Sequence, residues 1–74
     1  MVSTIDRLEE TVVVARQLLQ NSPIGELRFL QIDSDAGSLH ITGRVCCFYH
    51  KQLAQETVRS VAEGFQVVNT VDVD

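Results

Sequence analysis

Apolar side chains recur at two different steps in this sequence, and the change of step sets what it can fold into. Ile5, Leu8, Val12, Ala15 and Leu19 follow at intervals of three and four, which aligns them in one stripe along a helix. Leu39 and Ile41 then recur at an interval of two, with Val45 in the same phase. That is the period of a half-buried strand. Ala54, Val58, Val61 and Phe65 return to intervals of three and four, supported by Leu53 and Ala62. Helices laid against a sheet satisfy both periods at once.

The punctuation between these stretches places the boundaries. Ser3 with Asp6 approximates a capping box at the start of the first helix. Arg7, Glu10, Arg16 and Gln17 face water, whereas Val13, Val14 and Leu18 widen the apolar side, so neighbours are expected to cover this helix well. Asn21 is expected to take the left-handed conformation that ends a helix, and Pro23 forbids continuation. Glu26 to Asp33 reads as a strand, with Leu30 and Ile32 on one face and Leu27, Phe29 and Gln31 on the other. Asp35, Ala36 and Gly37 supply turn chemistry.

In the second strand Leu39, Ile41 and Val45 face one way, and His40, Thr42 and Arg44 the other. Gly43 inside it signals a bulge or a close backbone approach. A second helix is expected from Phe48 to Glu63, with Lys51, Gln55, Glu56, Arg59 and Ser60 facing water and Gly64 as its stop. Gln66 to Val73 reads as a third strand, with Val67, Val71 and Val73 in phase.

The order is α-β-β-α-β, an α+β fold occupying residues 1–74 as a single domain. The first two strands form a hairpin. The third is expected beside the second and parallel to it, after a right-handed helical crossover. This gives a three-stranded mixed sheet with both helices packed on one face and the other face open.

Composition narrows the function. A chain of 74 residues buries only about 60% of its unfolded surface. Its aromatics are Phe29, Phe48, Tyr49 and Phe65, so Val, Leu and Ile must build the core. The net charge is −4, and the six basic residues are scattered. That pattern lacks the basic stripe with which nucleic-acid binders neutralise phosphates, and no nucleic acid is expected as a partner. The start of the chain shows no apolar signal-peptide core, and no run approaches the roughly 18 apolar residues of a membrane span. A cytoplasmic, at most membrane-peripheral, location is the expectation.

No catalytic set is evident. Ser22, Ser34, Ser38 and Ser60 sit in turns or on a polar helix face. Asp33, Asp35, Asp72 and Asp74 lie at strand ends, and so small a fold offers little cleft. Gly37 and Gly43 are too far apart for a phosphate loop, and a GxxG clamp for RNA is absent. No cofactor is expected. Cys46, Cys47, His40 and His50 could be drawn as a metal set, but adjacent cysteines lack the usual ligand spacing. They close no useful disulfide loop and read as reduced thiols. Cys47 is either a thiol activated by a helix N-terminus or a small strand-end residue.

The run from Gly37 through Leu39, Ile41, Gly43 and Val45, with Ser38, His40, Thr42 and Arg44 interleaved, resembles the BON (bacterial OsmY and nodulation) domain family. There a turn glycine precedes alternating aliphatics and a second glycine. Lys51, Leu53 and Ala54 are similar to that family's basic residue and helix alanine. Val67, Val68, Asn69, Val71 and Val73 are similar to its closing strand. Cys47 stands where the family usually has Ser.

The resemblance implies phospholipid or envelope association without catalysis. Arg28, Arg44 and Lys51 would then meet head groups. Leu27 and Phe29, or Phe48 and Tyr49, would dip into the interface. The open sheet face, expected to carry Leu27, Phe29, His40, Thr42, Arg44, Val68 and Thr70, is the candidate surface. The alternative is that this face docks another protein or a second copy of the chain.

Overall fold

The computed structural model describes residues 4–62 and 64–74. Ser3, Glu63 and the side chains of Ile5 and Asp6 lie outside the described residues, and so does the expected capping pair. The elements are α1 (Thr4–Gln20), a short 3-10 helix (Gly25–Phe29), β1 (Gln31–Asp35), β2 (Ser38–Thr42), β3 (Arg44–Val45), α2 (Phe48–Arg59), β4 (Gln66–Asn69) and β5 (Asp72–Val73). β1 runs antiparallel to β2, and β4 runs parallel to β2 on its other side. The expected α+β fold, with two helices and a three-stranded mixed sheet, is the one found. β3 and β5 extend it as a short parallel pair.

The core is a single layer. Leu8, Val12, Ala15 and Leu19 of α1 and Ala54 and Val58 of α2 meet Ile32, Leu39, Ile41 and Val45 of the strands. The described part of the expected stripe of α1, Leu8 to Leu19, is therefore buried, but its flank is not. Val13, Val14 and Leu18 are 49%, 43% and 38% exposed. The sheet and α2 reach one side of α1, and a chain this short supplies no third layer for the other.

Asn21 does not adopt the left-handed conformation expected of it. Among the described residues Ala36 is the non-glycine position with positive φ. α1 ends instead as Asn21 N donates to the Gln17 carbonyl and Ser22 N to that of Leu19. Ser22 Oγ then accepts from Ile24 N.

The strand expected from Glu26 is replaced over its first half by the 3-10 helix. The reason lies in Ile24, Leu27 and Leu30. A three-residue turn brings residues three apart into line, and all three of these side chains pack on the core. An extended chain would have sent Leu27 and Leu30 to opposite faces. Leu27 is consequently 1% exposed, a core residue and not part of any open surface.

Gly43 accounts for the break between β2 and β3. Its φ is +135°, and a Cβ there would stand 2.6 Å from Leu30 Cδ2. Of the two readings of this glycine, the close approach is the one found; the register across the break gains no residue, so there is no bulge against the last strand. The last strand follows the interruption and divides into β4 and β5. The backbone ladder still runs on, with Thr70 N, Asp72 N and Asp74 N donating to the carbonyls of Ile41, Gly43 and Val45. α2 stops earlier than expected. Val61 N and Ala62 N donate three residues back, to Val58 and Arg59, and this tighter turn carries Ala62 into the core.

The open sheet face is polar. Its rows pair Gln31 with Thr42, Asp33 with His40 and Val68, and Asp35 with Ser38 and Gln66. The apolar patch expected there is absent, because Leu27 has gone inward and Phe29 has left the sheet.

Two substitutions test this backbone reading. Gly43→Ala meets both a positive φ and Leu30, and is expected to destabilise the domain by about 1–3 kcal/mol. Ala36→Asn relieves a left-handed Ala (φ 51°) in the β1–β2 turn and is expected to stabilise by about 0.5–1 kcal/mol. Urea unfolding at constant m-value checks both.

Candidate functional site

The exposed aromatics are carried by elements that are neighbours. β1 begins and β2 ends at the same edge of the sheet, where Gln31 faces Thr42. Phe29 lies just before that edge, and β3 and α2 lie just after it. The 3-10 helix packs on both β3 and α2. Phe29, Phe48 and Tyr49 are 85%, 75% and 66% exposed, and all belong to this end of the molecule. Arg28 and Arg44 accompany them. Arg28 Nε donates to the Ser22 carbonyl at 2.8 Å, and Arg44 Nε lies 3.5 Å from Asp74 Oδ1.

The remaining expected site residues divide: Thr42 and Lys51 adjoin this end, and Leu27 and His40 do not. Leu27 is in the core, and His40 and Thr42 stay on the polar sheet face. Lys51 is half-buried, and its carbonyl accepts from Asn69 Nδ2 at 2.9 Å. Asn69 also donates to Gln55 Oε1, and its Oδ1 accepts from Val71 N. One half-buried side chain thus ties β4, α2 and the residue that leads into β5, and its hydrogen bonds are met.

Beside the aromatics lies a cluster that the sequence reading set aside. Cys46 and Cys47 occupy the bend between β3 and α2. Cys47 is the N-cap residue of α2 and makes no side-chain cap bond. His50 follows Cys46 by four residues. Ligand atoms of Cys46, Cys47 and His50 all lie within 4.8 Å of one another.

Glu26 of the 3-10 helix enters from across the fold, with Oε2 2.5 Å from His50 Nδ1. The hydrogen bond from His50 and a second from the Cys46 amide hold the Glu26 carboxyl below its ordinary range. An ionised carboxylate only accepts, so His50 Nδ1 is the donor. The Cys46 thiol is pushed up to about 11, chiefly because it too donates to Glu26. The pair Cys46–His50, one turn apart, was visible in the sequence. Glu26 was not, because the strand reading of its segment pointed it elsewhere.

This arrangement is a poor nucleophile and a good set of donors. In a thiol–imidazole pair built for attack, the ring nitrogen takes the thiol proton. Here the Nδ1–H donates a hydrogen bond to the same carboxylate that accepts from the Cys46 S–H. The Cys46 sulfur lies 3.9 Å from Nδ1, and its thiolate is disfavoured.

A separate shallow cavity of about 180 Å³ lies between α1 and β1, lined by Arg16, Gln20, Leu30, Gln31, Ile32 and Asp33. Arg16 is engaged there with the Ile32 carbonyl. Among the described residues no helix is long and apolar enough to cross a membrane.

Removing the Glu26 charge is expected to lower the Cys46 pKa. In a Cys47→Ser background, Glu26→Gln should speed iodoacetamide alkylation of Cys46 at pH 8 by about tenfold, one unit of pKa. An unchanged rate would show that Glu26 does not restrain this thiol.

Comparison with protein-family models, with curated proteins and with solved structures finds no match to this chain.

Proposed function

We propose that the chain is a non-catalytic, BON-like docking module whose aromatic end enters the surface of a phospholipid membrane. One observation carries this reading. Among the described residues, the three most exposed large apolar side chains, Phe29, Phe48 and Tyr49, stand on adjoining elements at one end of a small fold. Aromatic rings suit the interfacial layer, where an apolar body is buried while a polar tip stays wet. Arg28 and Arg44 border the same end, and Lys51 lies in the first turn of α2 beside Phe48 and Tyr49.

Charge plays the smaller part. Each basic residue near an anionic surface contributes about 1 kcal/mol, but Asp72 and Asp74 lie at the same end and the chain carries −4 overall. Insertion of the aromatics must supply the affinity, so neutral lipid should bind nearly as well as anionic lipid. A second reading, docking onto another protein or a second copy, is favoured by a different observation. Val14 and Leu18 stand one turn apart on the uncovered flank of α1, with Val13 beside them.

Vesicle co-sedimentation separates the two readings. The chain is expected to sediment with phosphatidylcholine vesicles, and anionic lipid should change the partition by less than about tenfold. Replacing Phe29, Phe48 and Tyr49 together by Ala should abolish it, whereas Leu18→Glu should leave it intact. No sedimentation on either lipid, together with a dimer mass that Leu18→Glu reduces to a monomer, would replace the membrane reading with the protein-docking one.

A further inference from the structure

We propose that Cys46, Cys47, His50 and Glu26 form a binding site for a thiophilic divalent cation of the zinc class. This inference stands apart from the membrane reading and does not need it.

The donor set is the first argument. Two sulfurs, an imidazole and a carboxylate oxygen are the ligands that zinc-class ions take in tetrahedral sites. Thiolates select such ions over the harder cations that prefer all-oxygen shells.

Position is the second. Residues next to each other in an extended strand point to opposite sides, which is why a Cys-Cys pair alone is a weak signal. Here the chain bends at Cys46–Cys47, and the two sulfurs and the imidazole come within 4.8 Å of one another. Neighbouring ligands around one tetrahedral zinc ion stand about 3.3–3.8 Å apart for bond lengths of 2.0–2.3 Å. The Cys46 sulfur is already 3.9 Å from His50 Nδ1. Glu26 Oε2 lies 2.5 Å from that nitrogen but is not among the three mutually close ligands, so it must shift to take the fourth position.

Support from behind is the third argument. Glu26 is followed by Leu27, Cys46 is preceded by Val45, and His50 lies one turn before Ala54. All three of these anchors are buried. The backbone of every ligand-bearing segment is therefore fixed by the core, while the ligand atoms face an open side. Cys46 is exposed and Cys47 partly so, leaving an entry path.

Loading is chemically balanced. The ion displaces one proton from each thiol to solvent, and the two sulfurs become thiolates. His50 gives up to solvent the Nδ1 proton that now bonds Glu26 and binds as the neutral ring, whose single proton is on Nε2, kept there or taken up from solvent. Glu26, already ionised, exchanges its hydrogen bonds for the fourth ligand position. The negative charge that disfavours a bare thiolate at Cys46 favours a cation at the same spot. The ion would bridge the 3-10 helix to the start of α2, a junction now joined by the Glu26–His50 contact.

The test uses the reduced full-length chain and Co2+ as the probe under anaerobic conditions. One Co2+ per chain is expected, with intense visible bands of tetrahedral geometry and a thiolate-to-cobalt charge-transfer band. Zn2+ should bleach both and raise the melting temperature. Cys46→Ser, Cys47→Ser and His50→Gln should each weaken binding by about a hundredfold or more, and Glu26→Gln by about tenfold. His40→Gln, on the sheet face, should titrate like the parent. Cys47→Ser supplies the side-chain cap that α2 lacks, so its lost binding should accompany an unchanged or higher melting temperature without metal. A weak octahedral spectrum, half an ion per chain, or a Cys47→Ser variant that binds like the parent would overturn the proposal.

Discussion

Leu30 occupies the space in which residue 43 would otherwise carry a side chain, and much of the molecule follows from that contact. With Gly43 at φ +135°, β2 breaks and the chain resumes as β3 with Val45 still directed into the core. The bend at Cys46 and Cys47 then swings the chain into α2. β5 keeps its hydrogen bonds to Gly43 and Val45 across the same interruption. A side chain at position 43 would push Leu30 out of the line it forms with Leu27 and Ile24. The 3-10 helix that presents Glu26 and Phe29 would lose its seat. One missing Cβ thus links the sheet, the second helix and both candidate surfaces.

The parts of this fold legible in the sequence are those where period and burial agree. α1, β2, α2 and the parallel return of the last strand were readable because each buries one face against one layer. Glu26 to Leu30 was not readable, because apolar residues at 27 and 30 fit a broken strand as well as one three-residue turn. Only the packed core distinguishes them. The flank of α1 was misjudged for a related reason. Val13, Val14 and Leu18 are as apolar as the buried stripe, and hydrophobicity does not count how many layers a short chain can supply. The aromatics Phe48 and Tyr49 were legible as candidate surface. The polar character of the sheet face was hidden behind the mistaken parity of Leu27.

The Glu26 cluster illustrates a different limit. Sequence spacing describes ligands on one segment, and Cys46, Cys47 and His50 taken alone are too few and too crowded to stand out. Their meaning changes when a carboxylate twenty positions earlier arrives from the 3-10 helix. That carboxylate accepts from an imidazole, an amide and a thiol together. Ionisation is thereby favoured in the acid and disfavoured in the sulfur, the opposite of what a nucleophilic cysteine requires. Proton donors gathered around one anion mark the place where a single cation would sit.

The rest of the surface bears on how the domain can meet a partner. β1 is an edge of the sheet, and an edge is a ready template for another strand. Asp33 and Asp35 charge it, and opposite β1 the face rows continue with His40 and Ser38. Like charges set side by side would repel a second copy aligned there, so pairing through the sheet is disfavoured from both its edge and its face. Among the described residues, the large exposed apolar side chains fall at the aromatic end and on the α1 flank, on separate elements. A membrane is a plane that a protruding end can enter, whereas a helix flank fits a groove. The end that holds Phe29, Phe48 and Tyr49 also holds the polar cluster that fixes the first turn of α2. Rings on a turn held in place lose less freedom on insertion than rings on a mobile loop, and that pre-organisation makes this end the stronger candidate for contact.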